Sequence, residues 1–394
     1  MALRGDLLKH AQHPTHRPKG NFMPMPKRFL YRTLVGALVA AGLSPATADI
    51  LIGQTAGFTG PVASGVKETT DGARLYLRAI NEKGGVNGQP IKLLSLDDGF
   101  QPAKAGENAR KLIEDDKVVA LFLTRGTPHT QAVLPWVQKY NVPLVGPSTG
   151  AMVLHEPVIP QVFNVRATYQ REAEKTIAYL TSIGVTRIAI LHADDSFGED
   201  AVKGALRALD AARLEPVVLD KFPRMNPDLS PLARATAQAD AQAVLVIGSG
   251  AVAANSLKAI RAAGSSAQLL TLSNNASSGF IKSLGAQGTG LIVSQVFPYE
   301  RRINYMLVKE AKELLMASDT DLSPQMLEGF AAAKVLVEGL RVAGPSPTRE
   351  KLLQALNGLR VDIGGLEVRY APADHTGLDF ADLAIIGADG KFRR

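Results

Sequence analysis

The strongest constraint on this chain is a sustained alternation of short apolar runs with amphipathic stretches about 10–15 residues long. Asp49-Ile-Leu-Ile-Gly-Gln54 reads as a buried strand, and Val66–Lys83 as a helix that Gly84-Gly85 stops. Strand Ile91–Leu96, a helix from Pro102 to about Asp115, strand Val118–Leu123, a helix to about Tyr140 and strand Val142–Gly146 follow. The pattern then repeats. Helices are expected at Arg171–Ile183, Glu199–Ala211, Leu229–Ala239 and Ala253–Ala263. Strands are expected at Arg187–His192, Pro216–Phe222, Ala243–Gly248, Gln268–Leu272 and near Gly290–Val296. Helices Tyr305–Ala317, Pro324–Val342 and Arg349–Leu359 come next, and Val361–Phe392 reads as short antiparallel strands. Such alternation means βαβ units and parallel sheets covered on both faces. The run is too long for one open sheet, so two doubly wound lobes are the economical packing. Ligands of such sheets sit at the carboxyl ends of strands. That singles out loops 53–65, 97–101, 124–130, 146–152, 193–198, 248–252 and 273–278.

The N-terminal region reads differently. Lys27 and Arg28 lead into an apolar stretch from Thr33 to Leu43, then Ala46-Thr47-Ala48, which has the form of a secretory signal and its cleavage site. The apolar stretch is shorter than the roughly 18 residues a membrane span needs. A mature start at Asp49 and an exported, periplasmic protein are expected, in a compartment without ATP or NAD pools. Residues 1–22, with His10, His13 and His16, read as an over-extended start, with Met23 or Met25 as initiator.

The formal net charge of +7 comes from this leader. It holds seven basic residues and one acid; taking these from the 44 Lys+Arg and 37 Asp+Glu of the whole chain leaves 37 against 36. No basic face for nucleic acid is implied. The chain has no cysteine, which excludes disulfides, thiolate metal sites, thiol catalysis and a lipid-bearing cysteine.

The loops carry an ordered set of short motifs. These are Gly57-Phe-Thr-Gly-Pro61, Asp71-Gly-Ala73, Ile80-Asn-Glu-Lys-Gly-Gly85, Val86-Asn-Gly88, Leu96-Asp-Asp98, Val142-Pro-Leu-Val-Gly-Pro147 and Asp194-Asp-Ser-Phe-Gly198. In that order they resemble the extracytoplasmic substrate-binding proteins of ABC importers, of the leucine/isoleucine/valine-binding type. The resemblance spans Asp49–Arg394. It implies two Rossmann-like lobes with parallel central sheets, joined by a three-crossover hinge and closing on a ligand. Crossings are expected near Arg166–Thr168, Val296–Pro298 and Leu359–Gly364. The expected division is a leader over 1–48, a first lobe from 49–166 and 298–360, and a second from 167–297 and 361–394. The implied partners are a small-molecule ligand and a permease in the inner membrane. The protein is expected to be a monomer without cofactor or metal, and not an enzyme.

In that family two first-lobe loops hold a ligand carboxylate with hydroxyls and backbone N–H groups. Here the resemblance points to Arg125, Gly126 and Thr127, and to Ser148, Thr149 and Gly150. Arg125 stands where a small polar residue is usual. It pairs with a ligand carboxylate, bridges the lobes, or points to solvent. From the second lobe, Phe197 is expected to cover the ligand, with a core position beneath Asp194–Asp195 as the other reading. Ser249, Ser273 and Asn274 lie in the remaining second-lobe loops. Leu272-Ser-Asn-Asn-Ala276 lacks the acid that holds an α-ammonium in amino-acid-binding members; Asp98, Asp194 or Asp195 either replaces it or is a solvated loop carboxylate, so an aromatic or other organic acid stands beside an amino acid as the expected ligand. A ligand-sensing receptor of the same fold is the alternative function.

Two motifs suit other chemistries. Gly146-Pro-Ser-Thr-Gly150 fits the G-x-S-x-G elbow of a serine hydrolase, with His375 as a formal partner, but Pro157 and Pro160 deny it the helix that should follow. Gly248-Ser-Gly-Ala-Val-Ala253 fits a dinucleotide fingerprint without the acid after the next strand, and reads as close packing of a helix on a strand.

Overall fold

The structure, a computed structural model, describes Gly20, residues 48–316 and residues 319–394. The expected leader and signal peptide lie outside the described residues, Gly20 and Ala48 apart, as do residues 317–318.

Five apolar runs form the first sheet: β1 (Ile50–Ala56), β2 (Ile91–Asp97), β3 (Ala120–Phe122), β4 (Leu144–Val145) and β5 (Val162–Phe163). Their order is β2-β1-β3-β4-β5 and every pairing is parallel. Helices Pro102–Glu114 and Thr127–Lys139 contribute to the core on one face, with Leu112, Ile113, Val133 and Val137 buried against Leu121 and Leu144. Helices Ala63–Glu82, Met306–Leu315, Pro324–Ala343 and Arg349–Leu356 contribute to the other.

The second sheet contains β6 (Ile188–Ala193), β7 (Val218–Phe222), β8 (Ala243–Ile247), β9 (Gln268–Thr271) and β10 (Ile292–Gln295) as parallel strands. A small hairpin of β11 (Arg360–Asp362) and β12 (Glu367–Arg369) stands apart from both sheets. Beyond it, β13 (Asp382–Ile386) and β14 (Phe392–Arg393) extend the second sheet antiparallel, in the order β14-β13-β10-β9-β8-β6-β7. Its interior strand β8 is buried throughout, as a strand covered on both faces must be.

The chain passes between the lobes three times. Val165 and Ala167 belong to the first core and Tyr169 to the second. After β10, Val296 and Phe297 return to the first core. The third passage differs from the expected Leu359–Gly364. Ile363, Val368, Tyr370 and Leu378 all pack in the first-lobe core, and the Leu378 N–H donates to the Val165 carbonyl at 3.1 Å. Only at β13 does the chain enter the second sheet. The reason lies in the side chains of the intervening segment: Tyr370 Oη donates to the Asn164 carbonyl at 2.6 Å, and the Tyr370 and His375 rings both pack on Phe163.

One helix crossing sets the geometry of the cleft. Helices Ala63–Glu82 and Pro324–Ala343 touch backbone to backbone. A Cβ at Gly72 would lie 1.9 Å from the Met326 carbonyl oxygen, and one at Gly329 would lie 1.7 Å from that of Thr69. Only glycine permits this approach. Ser323 caps the second helix by accepting from the Met326 N–H, with Pro324 in the first turn. The crossing brings Glu68 and Thr69 against Ser323 and Gln325.

Candidate functional site

The loops after β3 and β4 are joined. Arg125 and Ser148 form an isolated parallel bridge, the Ser148 N–H donates to the Thr124 carbonyl at 2.7 Å, and the Thr127 and Thr149 hydroxyls are 2.8 Å apart. Arg125, Thr127, Ser148 and Thr149 are all buried. Gly126 opens helix Thr127–Lys139 without a side-chain cap, so the positive end of that helix faces this cluster. Gly150 accepts from the Tyr169 N–H at 2.7 Å and so lies at the first crossing.

Opposite stand the second-lobe loops. Asn274 Nδ2 donates to the Gly248 carbonyl at 3.0 Å and to Ser249 Oγ at 3.1 Å, tying the loops after β8 and β9 together. Asn275 Oδ1 accepts from the Gly250 N–H at 2.9 Å. Phe197 is 3 % exposed in the second-lobe core, edge-to-face on Tyr169 at 4.7 Å. It also lines a cavity of about 10 Å³ with Asp195, Arg224 and Ser249. Asp195 caps its helix by accepting from the N–H groups of Phe197 and Gly198.

The two sets of loops are closed on each other. Arg125 Nη1 donates to Ser148 Oγ at 2.8 Å, and Nη2 reaches across to the Asn274 carbonyl at 2.7 Å. Gln325 Nε2 donates to the Ser273 carbonyl at 2.8 Å, and Arg166 Nη2 to Ser273 Oγ at 3.0 Å. Glu172 accepts from Arg166, from the Ser294 hydroxyl and from the Ser273 N–H, the last at 2.9 Å. Glu328 accepts from Ser148 at 2.6 Å and stands 4.0 Å from Arg166. Further out, Glu68 accepts from the N–H groups of Ser278 and Gly279, both at 2.9 Å, at the start of helix Ser278–Leu284. The Ala251 N–H donates to the Pro61 carbonyl at 2.9 Å, and Ser196 Oγ to Gln131 Oε1 at 2.6 Å. Beside Arg125 and Ser148 the seam retains a cavity of about 10 Å³.

A third arginine, Arg224, meets the seam from the second lobe. Arg224 pairs with Asp195 and lies 4.9 Å from the Phe100 ring centroid. Phe100 stacks on His129 at 4.4 Å. His129 is 1 % exposed, with its ring against the Phe100 backbone and away from any side-chain hydrogen-bond partner. Burial, reinforced by the charges of Arg224 and Arg125, pushes its pKa down to about 4, so the ring is neutral near pH 7. Burial raises Asp98, in the neighbouring loop, to about 6.

Four polar residues central to the seam, Arg166, Glu172, Gln325 and Glu328, were not singled out from sequence. Gln325 and Glu328 did leave a signal, since they lie one turn apart on a helix that is otherwise almost wholly apolar at its start. The fingerprint Gly248–Ala253 divides in two. Gly248 packs on Phe222 and Ala253, as expected, but a Cβ at Gly250 would lie 1.9 Å from the Pro61 oxygen of the opposite lobe. This glycine serves the approach of the lobes. The Ser148 hydroxyl donates to Glu328 and not to the formal elbow partner His375. His375 engages the Val162 carbonyl and Asn357 instead, at 2.9 and 3.0 Å.

Comparison with known proteins agrees with this architecture. The profile of the periplasmic binding protein family matches residues 49–391. A crystal structure of a substrate-binding periplasmic protein from Ralstonia solanacearum is 33 % identical, covers 87 % of this chain and 99 % of its own, and superposes with a TM-score of 0.80. Leu/Ile/Val-binding protein homolog 3 of Brucella melitensis is 23 % identical over 80 % of this chain and 84 % of its own length. Leu/Ile/Val-binding protein homolog 7 of Brucella suis is 27 % identical, and the match spans only about half of it, 54 %.

Proposed function

The chain belongs to the periplasmic binding protein family, and from that premise we propose that it is the solute-capturing component of an ABC importer. The solute is a small carboxylate-bearing molecule, an amino acid or a related organic acid, gripped between the lobes and handed to a permease in the inner membrane. Export through a signal peptide cut before Asp49 places the protein in the periplasm. The observation that carries the reading is the meeting of loops from the carboxyl ends of both sheets, bonded across one seam through Arg125 to Asn274 and Gln325 to Ser273. These contacts belong to the closed form, and a solute drives closure only by binding that form more tightly than the open one. In this reading the hydroxyls of Thr127, Ser148 and Thr149 and the N–H groups of Gly126 and Gly150 receive the carboxylate, the Ser148 hydroxyl turning from Glu328 to do so. Ser249, Ser273, Asn274 and Phe197 meet the solute from the second lobe.

Mass spectrometry of small molecules released by denaturing the purified protein tests this, followed by thermal shift with the compounds found. A carboxylate-bearing solute that raises the unfolding temperature is the expected result. Release and binding of none, with no solute changing the separation of the lobes, would refute solute capture.

A further inference from the structure

We propose that Arg125 sets the ligand class: it fills the place of a cation in the closed seam, so the solute captured is an organic carboxylate without an ammonium group. The inference rests on the solute-capture reading above.

The Arg125 guanidinium is 4 % exposed and lies where the two lobes meet. It supplies N–H donors to Ser148 Oγ and to the Asn274 carbonyl, and Gln325 Oε1 lies 3.5 Å away. An incoming ammonium brings three donors and no acceptor, and needs these same oxygens. The acids around the seam are engaged as well. Glu328 accepts from Ser148 and faces Arg166, Glu172 is held by Arg166 and Ser273, Glu68 by Ser278, Gly279 and Ser323, and Asp195 by Arg224. A second cation would therefore meet a fixed positive charge and no uncommitted carboxylate.

A carboxylate meets the opposite situation. Arg125 has five N–H donors in a planar fork, and the two short bonds leave part of that fork free for a bidentate acceptor. Its neighbours are donors too. Helix Thr127–Lys139 starts two residues on without a side-chain cap.

The experiment compares ligand pairs differing only in the α-amine: leucine with 4-methylpentanoate, and phenylalanine with 3-phenylpropanoate. Calorimetry and thermal shift are run on full-length mature protein freed of bound solute, as wild type, Arg125→Ser and Arg125→Lys. Wild type should prefer the amine-free member of at least one pair by about 100-fold or more. Arg125→Ser should lose about 30-fold or more of that acid affinity and bring the pair within about tenfold. Arg125→Lys keeps the charge without the fork, so it should still reject the amino acid while binding the acid about tenfold more weakly. Wild type binding the amino acid as tightly as its partner, or Arg125→Ser binding the acid like wild type, would overturn the proposal. So would binding of neither member of both pairs. Capture of an amino acid, or of an uncharged solute with lobe closure seen by X-ray scattering, overturns the role of Arg125 and leaves solute capture standing. Absence of closure with any solute brings down solute capture itself.

Discussion

Replacing Gly250 by alanine should wedge the lobes apart. The residue has φ +54° and begins helix Gly250–Ala262, and its missing Cβ position lies 1.9 Å from the Pro61 oxygen. A carbon and a carbonyl oxygen approach to about 3.3 Å, so the two surfaces must separate locally by roughly 1.4 Å. That separation breaks the bond from the Ala251 N–H to Pro61, 2.9 Å long, at a net cost of about 1 kcal/mol. It also opens a gap that forfeits much of the nearby dispersion attraction. The left-handed backbone costs alanine a further ~1 kcal/mol, but it does so with the lobes open or shut, so it lowers the melting temperature without biasing closure. The closed form should thus lose at least about 1.4 kcal/mol relative to the open form, a tenfold weaker affinity. Melting should fall by only about 2–4 °C. Calorimetric titration with the released solute, and X-ray scattering with and without it, measure both effects. A Gly250→Ala protein that binds and compacts like wild type would refute the claim that this glycine serves closure.

Other substitutions probe the interior. Glu172→Gln breaks a buried pair with Arg166 and should cost about 3–5 kcal/mol in urea unfolding; a loss below about 1 kcal/mol would mean that Ser273 and Ser294 alone hold the site. Phe197→Ala removes a core ring packed on Tyr169 and should destabilise the second lobe by about 3–5 kcal/mol, besides weakening solute binding; unchanged stability would move the ring out of the core. Acid should act through His129, which burial holds at about 4. Between pH 6.5 and 4 the unfolded chain binds a proton there that the folded one does not, so stability falls as pH falls. His129→Gln should therefore lose about 2–3 kcal/mol less than wild type between pH 7 and pH 4.5, and equal losses would contradict the burial argument. Asp98, raised to about 6 by burial, works in the opposite sense, because its folded form keeps a proton that the unfolded chain releases above about pH 4.

The long alternating segments were legible because burial on both faces of a parallel sheet leaves no choice but continuous apolar runs. Short pieces were not. Strand β5 is two residues long and helix Ser278–Leu284 seven, too short for any periodicity to show, and both exist because neighbours already in place pair with them. The loops at the strand ends were legible for the same topological reason that makes such ends into sites. Their contents were less so. Phe197 stood in the right loop, but whether its ring faced core or cleft depended on Tyr169, which comes from a different crossing. Arg166 and Glu172 look in sequence like ordinary solvated charges; the packing of the first crossing against Ser273 and Ser294 buries both.

The threading of the chain has a consequence for how the molecule is made. Strand β10 gains its partner β13 only from residues 382–386, about ninety positions later. A polypeptide emerging from a ribosome or a translocation pore would expose an unzipped sheet margin during the whole synthesis of the returning helices. Unpaired margins of this kind recruit foreign strands, so the period before the final hairpin docks is when this protein most needs a chaperone.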